Sequence, residues 1–358
     1  MPSQAEFVES LSPWPEEFGL GRMRALLTEL GEPQRAYPAI HVVGTNGKST
    51  ATRRAAAFLA REGLTVGAYT SPHVSGWSER IQVEGEDADF EAAVGRVRAA
   101  AERVAATQFE TLTAAALAEF DAAEVDVAVV EAGLGGRLDA TNVLDAEVVA
   151  LTNVSLDHTD VLGGTREQIA AEKLAVISPG AVVVLGEPEW EEFAHERGAA
   201  RIVVGNDVGR AAAEAFLGRE LEGEVEAVVP GRLDFSGGDV FAGAHNPAGV
   251  QWLVGRLPRN DYVICAAILA DKNARSMLAT LAGVGDTFVA TQTETERTIA
   301  ADDLARLARE FFPDVESVAD ATAALARARE RAHPERGVLV TGSLYLLRDL
   351  FGRLETVR

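Results

Sequence analysis

The sequence predicts an α/β protein in two parts, a larger N-terminal domain and a smaller C-terminal one. Three observations carry this. Short, wholly apolar runs alternate with stretches of helical period along the 358 residues, as in a parallel sheet with helical crossovers. The length suits two domains, each with its own core. Finally, a charged, alanine-rich stretch at 186–229 shows no clear strand order and ends at Pro230-Gly231-Arg232. That places the domains at residues 1–229 and 230–358.

The elements follow in order. Residues 39–43 read as a buried strand, 44–49 as a glycine-bearing loop, 50–62 as a helix and 65–69 as the next strand, a complete βαβ unit. Helices are expected at 90–106 and 111–123, and strands at 125–130 and 146–152. A helix at 165–177 ends at Ser178-Pro179-Gly180, and a strand follows at 182–185. In the second part, strands are expected at 240–244, 262–268, 287–291 and 338–341, with helices at 301–311 and 321–333 among them.

Composition narrows the function. The net charge of −22 disfavours a nucleic-acid backbone as partner. The longest apolar runs, such as 262–270, are far too short to cross a bilayer. No basic segment followed by an apolar one opens the chain, and the single Cys265 forms no internal disulfide, so a cytoplasmic protein is expected. High acidity also fits a high-salt cytoplasm. Three lysines, Lys48, Lys173 and Lys272, stand against thirty arginines. Arginine is a permanently charged fork, whereas lysine is a compact amine that can lose its proton and be modified. A chain this poor in lysine should keep one where guanidinium cannot substitute.

Lys48 lies in Gly44-Thr45-Asn46-Gly47-Lys48-Ser49-Thr50, between a strand and a helix. Such a loop points backbone N–H groups and a helix N-terminus at phosphate oxygens, with the lysine reaching the β- and γ-phosphates. A hydroxyl of Ser49 or Thr50 can sit near Mg²⁺. The turn is shorter than the usual GxxxxGK[ST] spacing. Glu131 ends an apolar strand, where it reads either as a solvated strand end or as an Mg²⁺ ligand beside phosphate. His73 and His158 also follow strands. Lys173 falls on the helix after His158, where a lone lysine is ordinarily a solvated charge. Ala244-His245-Asn246-Pro247 and Thr341-Gly342-Ser343 look like site edges at strand ends.

Together these segments resemble folylpolyglutamate synthase/dihydrofolate synthase, of the muramyl-peptide ligase superfamily. The likeness runs in one order from Gly19-Leu20-Gly21-Arg22-Met23 through Ile40 to Lys48, Tyr69-Thr70-Ser71-Pro72-His73, Glu131 to Asn142 and Leu156-Asp157-His158-Thr159. It resumes at Pro230-Gly231-Arg232-Leu233 and closes at Val340 to Tyr345.

The resemblance implies a P-loop ATP-binding N-terminal domain, a smaller Rossmann-like α/β C-terminal domain and a site in the cleft between them. It implies ATP and two Mg²⁺ as cofactors, with Ser71, Glu131, His158 and Lys173 as metal ligands, the lysine carboxylated to a carbamate. Lys48, Lys173 and His158 would be catalytic. Thr45, Asn46, Gly47, Lys48, Ser49, Thr50, Arg232, His245 and Asn246 would bind nucleotide. Phe109, Leu138, Asp139, Ala140, His73 and Ser343 would bind substrate, although Phe109 also reads as core packing and Asp139 as a loop cap. The implied reaction joins L-glutamate to dihydropteroate or a folate through an acyl phosphate, in a monomer without nucleic-acid or membrane partners.

Three departures from the family pattern stand out. Ser49 follows Lys48 directly, as in the cell-wall ligases. Ala242 replaces a usual Asp, and the usual His-Gln and Asn are missing around residues 206–210. The first keeps open a cell-wall-type amino-acid ligase acting on another acid.

Overall fold

A computed structural model describes residues 3–15, 17–332 and 336–355 of the chain, which form two compact units. One holds the chain up to Pro72 together with Trp77–Val228. The other holds His73–Gly76 and the chain from Val229 onward. His333, the last residue of the expected helix 321–333, lies outside the described residues.

The first unit is built on an eight-stranded sheet. Its strands are β1 (Ala39–Val43), β2 (Val66–Tyr69), β3 (Ile81–Val83), β4 (Glu86–Asp87), β5 (Val127–Glu131), β6 (Val148–Leu151), β7 (Val182–Leu185) and β8 (Arg201–Val204), in the order 4-3-2-5-1-6-7-8. From β2 to β8 every pairing is parallel, and β3 and β4 add an antiparallel edge. The central strands are covered on both faces, which is why they read as unbroken apolar runs. Ile40 and Val42 pack against Ala51, Ala55 and Phe58 of the helix Lys48–Arg61. Ala39 and Val43 face the opposite way, into a core shared with Val94, Val97, Leu112 and Phe120 of the helices Phe90–Val104 and Gln108–Ala122.

The stretch without clear strand order holds β8 and the helix Val208–Leu217. Arg201 and Val204 of β8 are exposed at the sheet edge, so no apolar run marks it. The helix lies close on Lys48–Arg61: a Cβ added to Gly209 would stand 2.7 Å from the Ala51 carbonyl oxygen. The expected helix at 165–177 is instead an α-helix, Arg166–Lys173, followed by a 3₁₀ turn, Leu174–Val176.

The second unit carries a six-stranded sheet of β9 (Arg232–Ser236), β10 (Asp239–Ala242), β11 (Val263–Ala266), β12 (Thr287–Ala290), β13 (Asp314–Ser317) and β14 (Val338–Thr341), in the order 13-12-11-14-10-9. All pairings are parallel except β9 with β10. β9 and β13 were not expected, because as polar edge strands they lack an apolar run. Among the described residues no helix is long and apolar enough to cross a membrane.

The net charge of −22 sets one expectation for this fold. Self-repulsion of surface carboxylates is screened by salt. The melting temperature should therefore rise by several degrees from dilute buffer to molar KCl. A flat response in differential scanning calorimetry would leave the acidity without a stabilising role.

Candidate active site

Parallel strands β2, β5, β1 and β6 lie side by side and end at one edge of the sheet. Ligands of open α/β sheets bind at such an edge. β1 runs into the phosphate loop, β5 ends at Glu131, β2 leads to Ser71 and β6 to Thr152-Asn153.

Glycine geometry shapes the loop. Gly44 has φ +149, and a Cβ there would lie 1.8 Å from Thr152 Oγ1. Gly47 has φ +81 and stands at the N-cap of the helix Lys48–Arg61. The helix therefore begins two residues earlier than expected. No side chain caps it, so its first turn keeps the electropositive character that favours an anion.

The segment after β6 holds the loop in place. Asn153 Oδ1 accepts from the Asn46 N–H at 3.1 Å, and Asn153 Nδ2 donates to the Asn46 carbonyl at 2.9 Å. Thr152 Oγ1 donates to that carbonyl at 2.7 Å. Thr45 N–H donates to the Asn153 carbonyl at 2.9 Å, and Thr45 Oγ1 accepts from Ser155 N–H at 3.0 Å. One amide side chain thus reads both backbone groups of one loop residue. Asn153→Asp keeps the shape but loses the donor and turns a carboxylate oxygen toward a carbonyl. Nucleotide affinity should fall about 10- to 100-fold, the scale of one lost hydrogen bond plus an unsatisfied acceptor. Calorimetric titration with ADP checks this, and wild-type affinity would contradict it.

Glu131 is almost fully buried. Its Oε1 accepts from Ser49 Oγ at 3.2 Å and lies 3.9 Å from Lys48 Nζ. Its Oε2 accepts from Ser71 N–H at 3.1 Å. Glu131 is thus a buried strand end and not a solvated one, and it is the Ser49 hydroxyl that meets the carboxylate. Among the described residues, no three or more His, Cys, Asp or Glu side chains gather where they could hold a metal ion. A buried carboxylate with a hydroxyl beside a phosphate loop still fits Mg²⁺, which takes one or two carboxylates and completes its shell with phosphate and water.

Lys173 is not a solvated helical charge. It is 4 % exposed, and its Nζ donates to the Gly44 carbonyl at 2.7 Å. Burial, reinforced by Lys48, lowers its pKa to about 7. Asp157 and Asp139 act the other way. The neutral amine is thus far more accessible than in an ordinary, solvated lysine. His158 takes left-handed backbone at the N-cap of the short helix Thr159–Leu162, its Nε2 4.0 Å from Asp157 Oδ1.

The loop after β5 closes against the Lys173 helix. Arg137 N–H donates to the Glu172 carbonyl, and a Cβ on Gly136 would lie 2.6 Å from the Lys173 carbonyl oxygen. Within this loop Asp139 is buried and works as a cap. Its Oδ2 accepts from Leu134 N–H at 2.8 Å, and its Oδ1 from Thr141 N–H at 3.0 Å and Thr141 Oγ1 at 2.5 Å. The geometry thus supports the loop-cap reading of Asp139. Ala140 packs into the core, and Leu138 stands 46 % exposed. Phe109 lies under the loop: a Cβ on Gly133 would touch its ring at 2.5 Å, and the ring packs against Tyr69. Thr50 is partly exposed in the first turn of the phosphate-loop helix.

The remaining expected site residues belong to the second unit. His73 is buried there. Arg232 opens β9. His245 Nδ1 lies 2.9 Å from the Gly243 carbonyl, and Asn246 Oδ1 caps the helix Pro247–Val254 through Gly249 N–H at 2.8 Å. Ser343 is buried and accepts from Tyr345 N–H at 3.1 Å. Ala242 sits at a register shift in β10, buried among apolar side chains.

Comparison with known proteins agrees with this layout. Residues 42–228 match the Mur ligase middle domain, and residues 231–344 match the Mur ligase glutamate ligase domain. The chain is 31% identical to dihydrofolate synthase/folylpolyglutamate synthase of Escherichia coli K12, over 96% of this chain and 93% of the relative. The chain belongs to the dihydrofolate synthase/folylpolyglutamate synthase family. Its fold superposes on E. coli FolC in complex with DHPP and ADP with a TM-score of 0.89 at 29% identity, covering 100% of this chain and 99% of that one. A bifunctional family member from Yersinia pestis, complexed with AMPPNP and Mn ion, superposes with a TM-score of 0.85 at 29% identity, over 99% of this chain and 98% of the other.

The sequence singled out Lys48, Glu131, Ser71, His158 and Lys173. Of these, Lys48 and Ser71 both meet Glu131, and Lys173 meets the same loop at Gly44. It missed Asn153, although the residue directly follows the strand end at Thr152.

Proposed function

We propose that this protein is an ATP-dependent ligase that joins L-glutamate to dihydropteroate or to a folate. Residues 1–229 would bind ATP and the acid, and residues 230–358 would supply Arg232, His245, Asn246 and Ser343. The observation that carries the reading is Lys173, a buried lysine whose Nζ donates to the phosphate loop at the Gly44 carbonyl and whose ammonium form burial disfavours. An ammonium there is opposed by burial and by Lys48. A carbamate reverses the second effect, because its anion is attracted to Lys48. The Nζ lone pair attacks CO₂, a nitrogen–carbon bond forms and one proton leaves. The remaining N–H can still donate to the Gly44 carbonyl.

The residues suit phosphoryl transfer to a carboxylate. Lys48 and the uncapped helix N-terminus stabilise charge on the γ-phosphoryl group as the acid takes it up. The resulting acyl phosphate is attacked by the glutamate amine, and phosphate leaves. Ser49 and Glu131 would hold one Mg²⁺, and Ser71, His158 and the carbamate of Lys173 would be the further ligands; the metal would supply charge neutralisation when bound. Positioning and electrostatics provide most of such catalysis. The reading carries with it a cytoplasmic monomer acting on small molecules.

One assay tests it: ADP release with Mg²⁺-ATP and L-glutamate, using dihydropteroate, tetrahydrofolate or a peptidoglycan precursor as acid. Turnover with a pteroyl acid and a product heavier by one glutamate is expected. Turnover with the peptidoglycan precursor alone would contradict the proposal and favour the cell-wall-type ligase suggested by Gly47-Lys48-Ser49-Thr50.

A further inference from the structure

His41 is a polar residue in the middle of the apolar strand β1, fully buried between β5 and β6. It lies on the face of the sheet that Ala39 and Val43 share, where every neighbour in sequence is apolar. Burial lowers its pKa to about 4, so the ring is neutral at physiological pH. A buried polar ring at such a place needs a partner.

The partner is one hundred residues away. His41 Nε2 lies 2.8 Å from Thr141 Oγ1, and Thr141 Oγ1 lies 2.5 Å from Asp139 Oδ1. Asp139 Oδ2 in turn accepts from Leu134 N–H. The chain His41–Thr141–Asp139–Leu134 therefore ties the strand that delivers the phosphate loop to the loop that follows β5. Asp139 lies within electrostatic reach of both Lys48 and Lys173. The loop so tied thus borders the place where the phosphate would sit.

Counting hydrogens orders the chain. Thr141 has one hydroxyl proton. Burial raises the Asp139 carboxyl, but the Leu134 and Thr141 donors and Lys48 favour its anion, and the anion can only accept. That proton goes to Asp139, so Thr141 must accept from His41. His41 is then the Nε2–H tautomer, and its Nδ1 carries only a lone pair. Nδ1 has no partner in the structure, which suits a bare acceptor better than an orphaned N–H donor.

We infer that His41 is a positioning residue for the acid substrate: through Thr141 it fixes the Leu134–Thr141 loop relative to the phosphate loop. The inference rests on the glutamate-ligase reading above for the identity of that substrate. His41 is fully buried in the sheet, so it would touch neither substrate nor nucleotide. Its effect should fall on the acid and spare ATP.

The test compares His41→Phe, His41→Asn and His41→Gln in steady-state kinetics. A glutamine amide nitrogen reaches the place of Nε2, whereas an asparagine amide stops short. His41→Phe and His41→Asn should raise KM for the pteroyl acid about tenfold, the weight of one hydrogen bond, with KM for ATP unchanged. His41→Gln should restore the wild-type value. Equal damage in the glutamine variant, a parallel rise in KM for ATP or an unchanged KM for the acid would overturn the inference. The tautomer is read separately on the wild-type protein without substrate, from nitrogen-15 histidine spectra. An Nε2–H ring is expected for His41, and an Nδ1–H ring would overturn the chain. Because that reading needs no turnover, failure of the chain is distinguishable from failure of the ligase assignment.

Discussion

Lys173→Arg is expected to lower kcat about 10²- to 10³-fold, the scale of losing one preorganised electrostatic contact at a reacting group, although it preserves the positive charge. Guanidinium keeps its proton at every accessible pH and cannot attack CO₂. An ordinary lysine offers about one neutral amine in 2,500 at neutral pH. Lys173, with its pKa lowered to about 7 by burial, offers a far larger share. The direction in pH follows from the sign of that shift. Raising pH through 7 deprotonates the amine and favours loss of the carbamate proton, so bicarbonate should reactivate CO₂-depleted enzyme more fully at pH 8 than at pH 6. Carbon-13 bicarbonate should give a carbamate resonance in the wild type that Lys173→Arg lacks. An arginine variant with near-normal turnover would remove the carbamate from the account.

Glu131→Gln should have the second largest effect. The substitution keeps the shape and removes the charge from a carboxylate that is 1 % exposed and accepts from Ser49 and Ser71. A hard divalent cation then loses a buried anionic ligand beside the phosphate loop. Affinity for Mn²⁺ in the presence of nucleotide should fall at least about tenfold, within the range that disturbed metal sites show. Lys48 also loses its counter-charge at 3.9 Å, so nucleotide bound without metal should be held no less tightly. Electron paramagnetic resonance titration of Mn²⁺, with and without ADP, separates the two. Unchanged Mn²⁺ affinity would place the metal elsewhere.

The fold was legible in proportion to burial. β1, β5, β6, β7, β11, β12 and β14 are fully or largely buried, and each appears in the sequence as an apolar run within a few residues of its observed ends. β8, β9 and β13 lie at the sheet edges and carry charged residues that are exposed or partly exposed, and only their partners define them. The site divides the same way. Lys48 and Glu131 announce themselves by residue type at strand ends, and Lys173 by its rarity in the chain. Asn153 and His41 do not, because each acts on a loop about one hundred residues away, and no local pattern encodes that contact.

The central claim is that ATP activates the acid's own carboxylate before glutamate attacks. Carboxylate labelled with oxygen-18 in the pteroyl acid tests it directly. One labelled oxygen should pass to inorganic phosphate for each amide formed, because the bridging oxygen of the acyl phosphate leaves with phosphorus. Phosphate free of label, alongside normal amide formation, would contradict the account.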